Sequence, residues 1–163
     1  MANNFTNDPN CKAIWKLDSG ALTTDSISTN TLTNTGVAGD TTNHKEGTGC
    51  GDWEVTDVPS DYMSIADASL ASGFPLKSDD TSKVISVFGR IKPETLPADG
   101  AHMIIISKYD AAGNKRSFWL SLLNTAGVTV FRLILGYNGG ASAVGFSHES
   151  PLSAGNWYYY LVS

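Results

Sequence analysis

The sequence predicts an all-β, antiparallel fold, and three observations predict it. Short β-prone runs recur along the chain, and clusters of Gly, Asn, Asp, Ser and Thr separate them. In the clearest runs side chains alternate with period two. Only Asp67 to Ser72 reads as helix, for one or two turns. Strands of this length and spacing belong to an antiparallel sandwich or barrel.

The elements follow in order. Ala13-Ile-Trp-Lys-Leu17 alternates and stops at Asp18-Ser-Gly20. Residues 18 to 43 are rich in Thr, Ser, Asn and Gly, with a short strand near Thr31-Leu32-Thr33. Trp53-Glu-Val55 and Tyr62-Met-Ser-Ile65 are short strand candidates. Lys83 to Lys92 is a clear strand closed by Pro93, because proline cannot continue a ladder. Ala101 to Lys108 ends at Tyr109-Asp-Ala-Ala-Gly113-Asn114. Arg116 to Leu123 ends at Asn124-Thr-Ala-Gly127, and Val128 to Gly136 ends at Tyr137-Asn138-Gly139-Gly140. Asn and Gly accept positive φ, so both endings are hairpin chemistry. Ala141 to Phe146 and Trp157 to Val162 complete the series.

Alternation assigns faces. Phe118, Leu120 and Leu122 share one face of their strand, with Ser117, Trp119, Ser121 and Leu123 on the other. In the next strand Phe131, Leu133, Leu135 and Tyr137 oppose Val130, Arg132, Ile134 and Gly136. Both faces of that strand carry apolar groups. It therefore reads as central, its second face covered by a loop, a ligand or a partner.

The 163 residues suit one domain, with residues 1–10 a polar arm and 11–163 the β domain. An apolar share of 41% and a charged share of 17% mark a globular chain. A net charge of −5 with no basic stripe argues against nucleic acid. No apolar run approaches the ~20 residues of a membrane span. The first ten residues have neither a positive segment nor an apolar one, so no signal peptide is read. Cys11 and Cys50 are either free thiols or one disulfide.

Several segments together resemble the laminin-G-like, concanavalin A-like jelly-roll family. They are Ala13-Ile-Trp-Lys-Leu-Asp-Ser-Gly20 with Thr24-Asp25-Ser26, Asp61-Tyr-Met-Ser-Ile65, and Val84-Ile-Ser-Val-Phe-Gly-Arg-Ile-Lys-Pro93. Ile106-Ser-Lys-Tyr-Asp110 through Arg116-Ser-Phe-Trp119, and Leu152-Ser-Ala-Gly-Asn-Trp-Tyr158, complete the match. Gly89 stands where the family usually has an aromatic, Tyr159 in a His position and Tyr160 in a Val position. The resemblance implies two antiparallel sheets in a jelly roll that binds glycans or protein surfaces. In the family the Trp-Tyr strand is followed by several more. The resemblance therefore predicts a sandwich completed by strands outside this sequence or by a partner chain, or a fold that closes differently. It also predicts an assembly edge at Trp157, Tyr158, Tyr159 and Tyr160.

Catalytic patterns are weak. The sandwich glucanases carry acids at i, i+2 on one strand face. Glu54 and Asp57 are three apart and fall on opposite faces, so they cannot flank one bond. His44, His102 and His148 neighbour no nucleophile motif. Asp18 and Asp25 read as turn formers, not calcium ligands, and no metal or other cofactor is expected. A sugar ring presents an apolar C–H face that lies on an aromatic ring. Trp119 with Arg132, Tyr137 and Asn138 is the candidate site for one. The expected function is non-catalytic recognition of a glycan or another surface ligand. The alternative is a structural subunit of an extracellular or virion assembly, such as a tail fibre or capsid decoration. Both readings place the protein outside the cell or on a virion surface.

Overall fold

A computed structural model describes residues 5–54, 60–76, 84–110, 115–137, 142–148 and 150–163. The protein is all-β with antiparallel sheets, as the sequence predicts. It divides into two compact units, Met1–Val84 and Ile85–Ser163. Among the described residues no helix is long and apolar enough to cross a membrane.

The first unit is built from short ladders. β1 (Thr33–Thr35) pairs with β4 (Tyr62–Ser64), and β2 (Ala38–Asp40) with β3 (Cys50–Asp52). The expected helix is a single 3-10 turn at Asp67–Ser69. Two expectations need correction. Trp53 and Glu54 lie beyond the end of β3, and Val55 is outside the described residues. Ala13–Leu17 forms no ladder, only one bridge between Trp15 and Asp25.

The reason is a side chain that takes the strand's hydrogen bonds. Asp25 accepts from the Ile14 N–H at 2.9 Å and the Ile27 N–H at 3.1 Å. Leu17, at φ 58°, then turns the backbone out of the extended region. Asp25 and the fully buried Asn30 form the polar centre of this unit. The Asn30 amide donates to Asp25 Oδ2 at 2.9 Å and to the Lys12 carbonyl at 3.1 Å. Its Oδ1 accepts from the Ala71 N–H at 2.8 Å, and its carbonyl accepts from Trp15 Nε1 at 2.7 Å.

Cys11 and Cys50 are both free thiols, so the disulfide reading does not describe this structure. Their sulfurs donate to different backbone carbonyls, Ala13 and Asn43, at 3.7 and 3.3 Å. Burial pushes the Cys11 thiol above its ordinary pKa, against a weaker opposing effect of its backbone hydrogen bond.

The second unit holds the long strands. β5 (Val87–Ile91) pairs with β10 (Tyr158–Val162). A four-stranded meander runs through β6 (His102–Asp110), β7 (Lys115–Thr125), β8 (Val128–Tyr137) and β9 (Ser142–Ser147). Residues 111–114 and 138–141 lie outside the described residues. The β7–β8 turn is Ala126–Gly127, both at positive φ, as a tight two-residue hairpin demands. Ala126 bears the steric cost of φ 54°, and the Asp99 carboxylate holds its N–H at 2.6 Å.

The alternation predicted for β7 is observed. Phe118, Leu120 and Leu122 are buried and pair with Leu135, Leu133 and Phe131. A register shift between Ile104 and Ile106 lets Met103 and Ile106 both oppose members of this row. That is how a continuous apolar run, Met103 to Ile106, fits an antiparallel strand. Phe131 meets the rings of Tyr158 and Tyr160 at 6.4 and 6.2 Å, so the β5–β10 pair packs on this face of the meander.

Gly89 finds its explanation here. It lies opposite Tyr160, whose phenol ring covers it, so that a β-carbon at 89 would overlap the ring. Burial also pushes the Tyr160 hydroxyl above its ordinary pKa.

Candidate ligand-binding site

The second face of the meander carries the candidate residues. Trp119 on β7 lies opposite Ile134 on β8, which lies opposite Gly145 on β9. Arg132 follows the same face one step along, opposite Ser121 and Ser147. Its guanidinium folds back over Gly145, where any side chain would collide with it. Arg132 Nη1 donates to Ser147 Oγ at 2.8 Å, which fixes this pose.

In register, Trp119, Ile134 and the Arg132 guanidinium over Gly145 form a row across β7, β8 and β9, with Ile134 in the middle. Two interstrand spacings of about 4.8 Å put β7 and β9 about 10 Å apart. The row combines an aromatic ring, an apolar side chain and a fork of N–H donors.

Two rings of β6 contact the indole. The His102 ring sits 5.0 Å away in edge-on geometry, and Tyr109 sits 5.0 Å away, tilted. Trp119 Nε1 is buried without a hydrogen-bond partner among the described residues. A buried donor left unpaired costs about 1–3 kcal/mol. The platform is thus placed at some expense to stability.

Below the rings lies a Ser–His contact. His102 Nδ1 is 2.9 Å from Ser121 Oγ, the separation of a nucleophile and its base. Ser121 is 0% exposed and its hydroxyl also donates to the Arg132 carbonyl at 3.4 Å. A substrate cannot reach that oxygen, so the pair is a support for the rings. Burial first, and then the charge of Arg132, hold the His102 pKa below its ordinary value.

Of the expected site residues, Trp119 and Arg132 lie on the same face of the meander, with Ile134 between the indole's strand and the guanidinium. Tyr137 ends β8, its backbone paired with Ser142, and Asn138 lies outside the described residues. His102, Tyr109, Ile134, Gly145 and Ser147 join the site and were not legible as members of it. Gly145 did leave a signal: a glycine inside a strand marks a close approach.

The expected edge residues sit on β10 and just before it. Trp157, Tyr158 and Tyr160 are half-buried, and Tyr158 and Tyr160 face Phe131. Tyr159 points the other way and is 68% exposed, with the Arg90 guanidinium 4.8 Å from its ring centre. Leu161 and Phe88 share that face at 74% and 52% exposure. Among the described residues no three His, Cys, Asp or Glu side chains are placed to hold a metal. Asp18, one of the two acids nearest a calcium pattern, accepts the Thr48 N–H at 3.1 Å.

No family model, curated protein or solved structure matches this chain.

Proposed function

We propose that the protein is a non-catalytic recognition module that binds a glycan on the second face of the meander. The observation that carries this reading is the row itself: an aromatic wall, an apolar side chain and a guanidinium fork in register across one sheet face. A pyranose needs an apolar surface for its C–H groups and donors for its oxygens, and the row supplies both kinds of group. The laminin-G-like resemblance supports the same reading, since those jelly rolls bind glycans or protein surfaces. The inaccessibility of Ser121 supports a role without catalysis.

Trp119→Ala removes the wall and leaves the apolar core row on the other face intact. Binding on a glycan array is expected to fall at least about tenfold, which is about 1.4 kcal/mol. A variant that keeps the full signal sinks the reading.

A second reading has its own observation. Tyr159, Leu161 and Phe88 expose a connected apolar row on the β5–β10 pair, a surface suited to assembly with other chains. Light scattering at rising protein concentration is expected to show association, weakened by Leu161→Lys. A monodisperse monomer at high concentration rules that reading out.

A further inference from the structure

We infer that copies of this chain associate head to tail, the outer face of the β5–β10 pair in one copy receiving the Trp53 and Tyr62 rings of the next. This rests on the assembly reading above and deepens it by naming the surface that meets the apolar row.

The incoming patch lies in the first unit. Trp53 and Tyr62 are large rings, 42% and 50% exposed. The Glu54 N–H donates to Asp61 Oδ2 at 3.0 Å, so the chain at 53–54 runs beside the chain at 61–62 and the two rings belong to one surface. The Trp53 ring also lies over Gly51, where a side chain would overlap it. Aromatic rings held at a surface are the groups in which interface cores are rich. Carboxylates flank both rings in the chain: Asp52 and Glu54 beside Trp53, and Asp61 beside Tyr62.

The receiving face lies in the second unit. Phe88 is opposite Leu161, and Arg90 is opposite Tyr159. All four are exposed, and the Arg90 guanidinium lies 4.8 Å from the centre of the Tyr159 ring. One end of this block is apolar and the other is cationic, and neither strand contains an acid.

Charge selects the occupant. Met1–Val84 carries 12 Asp and Glu against 5 Lys and no Arg, whereas Ile85–Ser163 carries 4 Asp and Glu against 6 Lys and Arg. Two copies meeting through their β5–β10 faces would set Arg90 against Arg90. Two meeting through their ring patches would set carboxylates against carboxylates. Like charges across an interface are costly, so both symmetric pairings are disfavoured. The unlike pairing sets Glu54 and its neighbours toward Arg90 and the rings toward Phe88 and Leu161. Its two surfaces differ, so every copy added leaves one of each free. Such a contact propagates as a filament or closes as a ring.

Sedimentation velocity of the full chain tests this. The sedimentation coefficient is expected to rise with protein concentration at low salt and to rise less at high salt. Arg90→Glu and Glu54→Lys are each expected to weaken association about tenfold or more. Mixing the two variants is expected to restore it, because each altered surface then meets one of opposite charge. Restoration also shows that neither variant is misfolded. Association that survives Glu54→Lys, or that is lost in both variants and stays lost in the mixture, overturns the inference. Either result leaves the assembly reading to stand on its Leu161→Lys test. A parent chain that stays monomeric at every concentration overturns both.

Discussion

Asn30→Ala is expected to destabilise the Met1–Val84 unit by about 3–5 kcal/mol, from two or more buried groups left unpaired at about 1–3 kcal/mol each. The side chain is fully buried and bonded at three points. Alanine leaves the Ala71 N–H and the Lys12 carbonyl unpaired. It also strips a donor from Asp25, a buried carboxylate that orders residues 14 and 27. The apolar core there is small, with Val37 and Leu70 its buried aliphatic members. A typical domain has only about 5–15 kcal/mol in hand, so this loss approaches unfolding.

Urea denaturation followed by tryptophan fluorescence measures the effect, because Trp15 donates to the Asn30 carbonyl. Asn30→Asp provides a sharper test. It sets a second carboxylate against Asp25, so it is expected to be at least as damaging at pH 7. It should recover partly as pH falls toward 4, where one of the two acids takes up a proton. An Asn30→Ala variant within about 1 kcal/mol of the parent rejects this account of the unit, since even one unsatisfied buried group costs that much.

The second large effect concerns Gly89 and Tyr160. Gly89→Phe drives a new ring into the space the Tyr160 phenol fills. Overpacking of this kind costs about 1–3 kcal/mol, and more where a whole ring is displaced. Tyr160→Val alone empties the same space and loses the contact with Phe131, at about 3 kcal/mol by analogy with other large-to-small core changes. The double variant is expected to be more stable than either single one, because it moves the aromatic from one strand of the pair to the other. A double-mutant cycle from urea midpoints reads this directly. Strict additivity rules out the exchange. The resemblance places an aromatic at position 89 and a small aliphatic at 160, and this chain has the reverse.

Much of the second unit was legible. Strands β6 to β10 fall close to where alternation and turn residues put them, the strand read from Lys83 begins only at Val87, and the row Phe118, Leu120 and Leu122 is buried. Those signals are local: period two follows from the pleat, and Asn or Gly marks a turn. The first unit was read less well. Ala13–Leu17 has the pattern of a strand, but its backbone bonds to the Asp25 side chain, which lies in a polar stretch with no periodicity. Competition between a carboxylate and a neighbouring strand is invisible to a pattern of apolar residues.

The candidate site divides in the same way. Trp119 and Arg132 stood out because each is unusual on its strand. Ile134 and Gly145 did not, since their part depends on which residues oppose one another across three strands. His102 and Tyr109 reach Trp119 from β6.

By itself, then, the sequence determined the class of the fold, the positions of the long strands and the side of β7 that is buried. These are consequences of side-chain period and backbone turn preference, which act over a few residues. The tertiary structure alone decided that Asn30 is a structural centre, that the Tyr160 ring covers Gly89, and that a guanidinium lies over Gly145. Each of these depends on residues distant in sequence meeting at a few ångströms, where excluded volume and unpaired polar groups carry the energy.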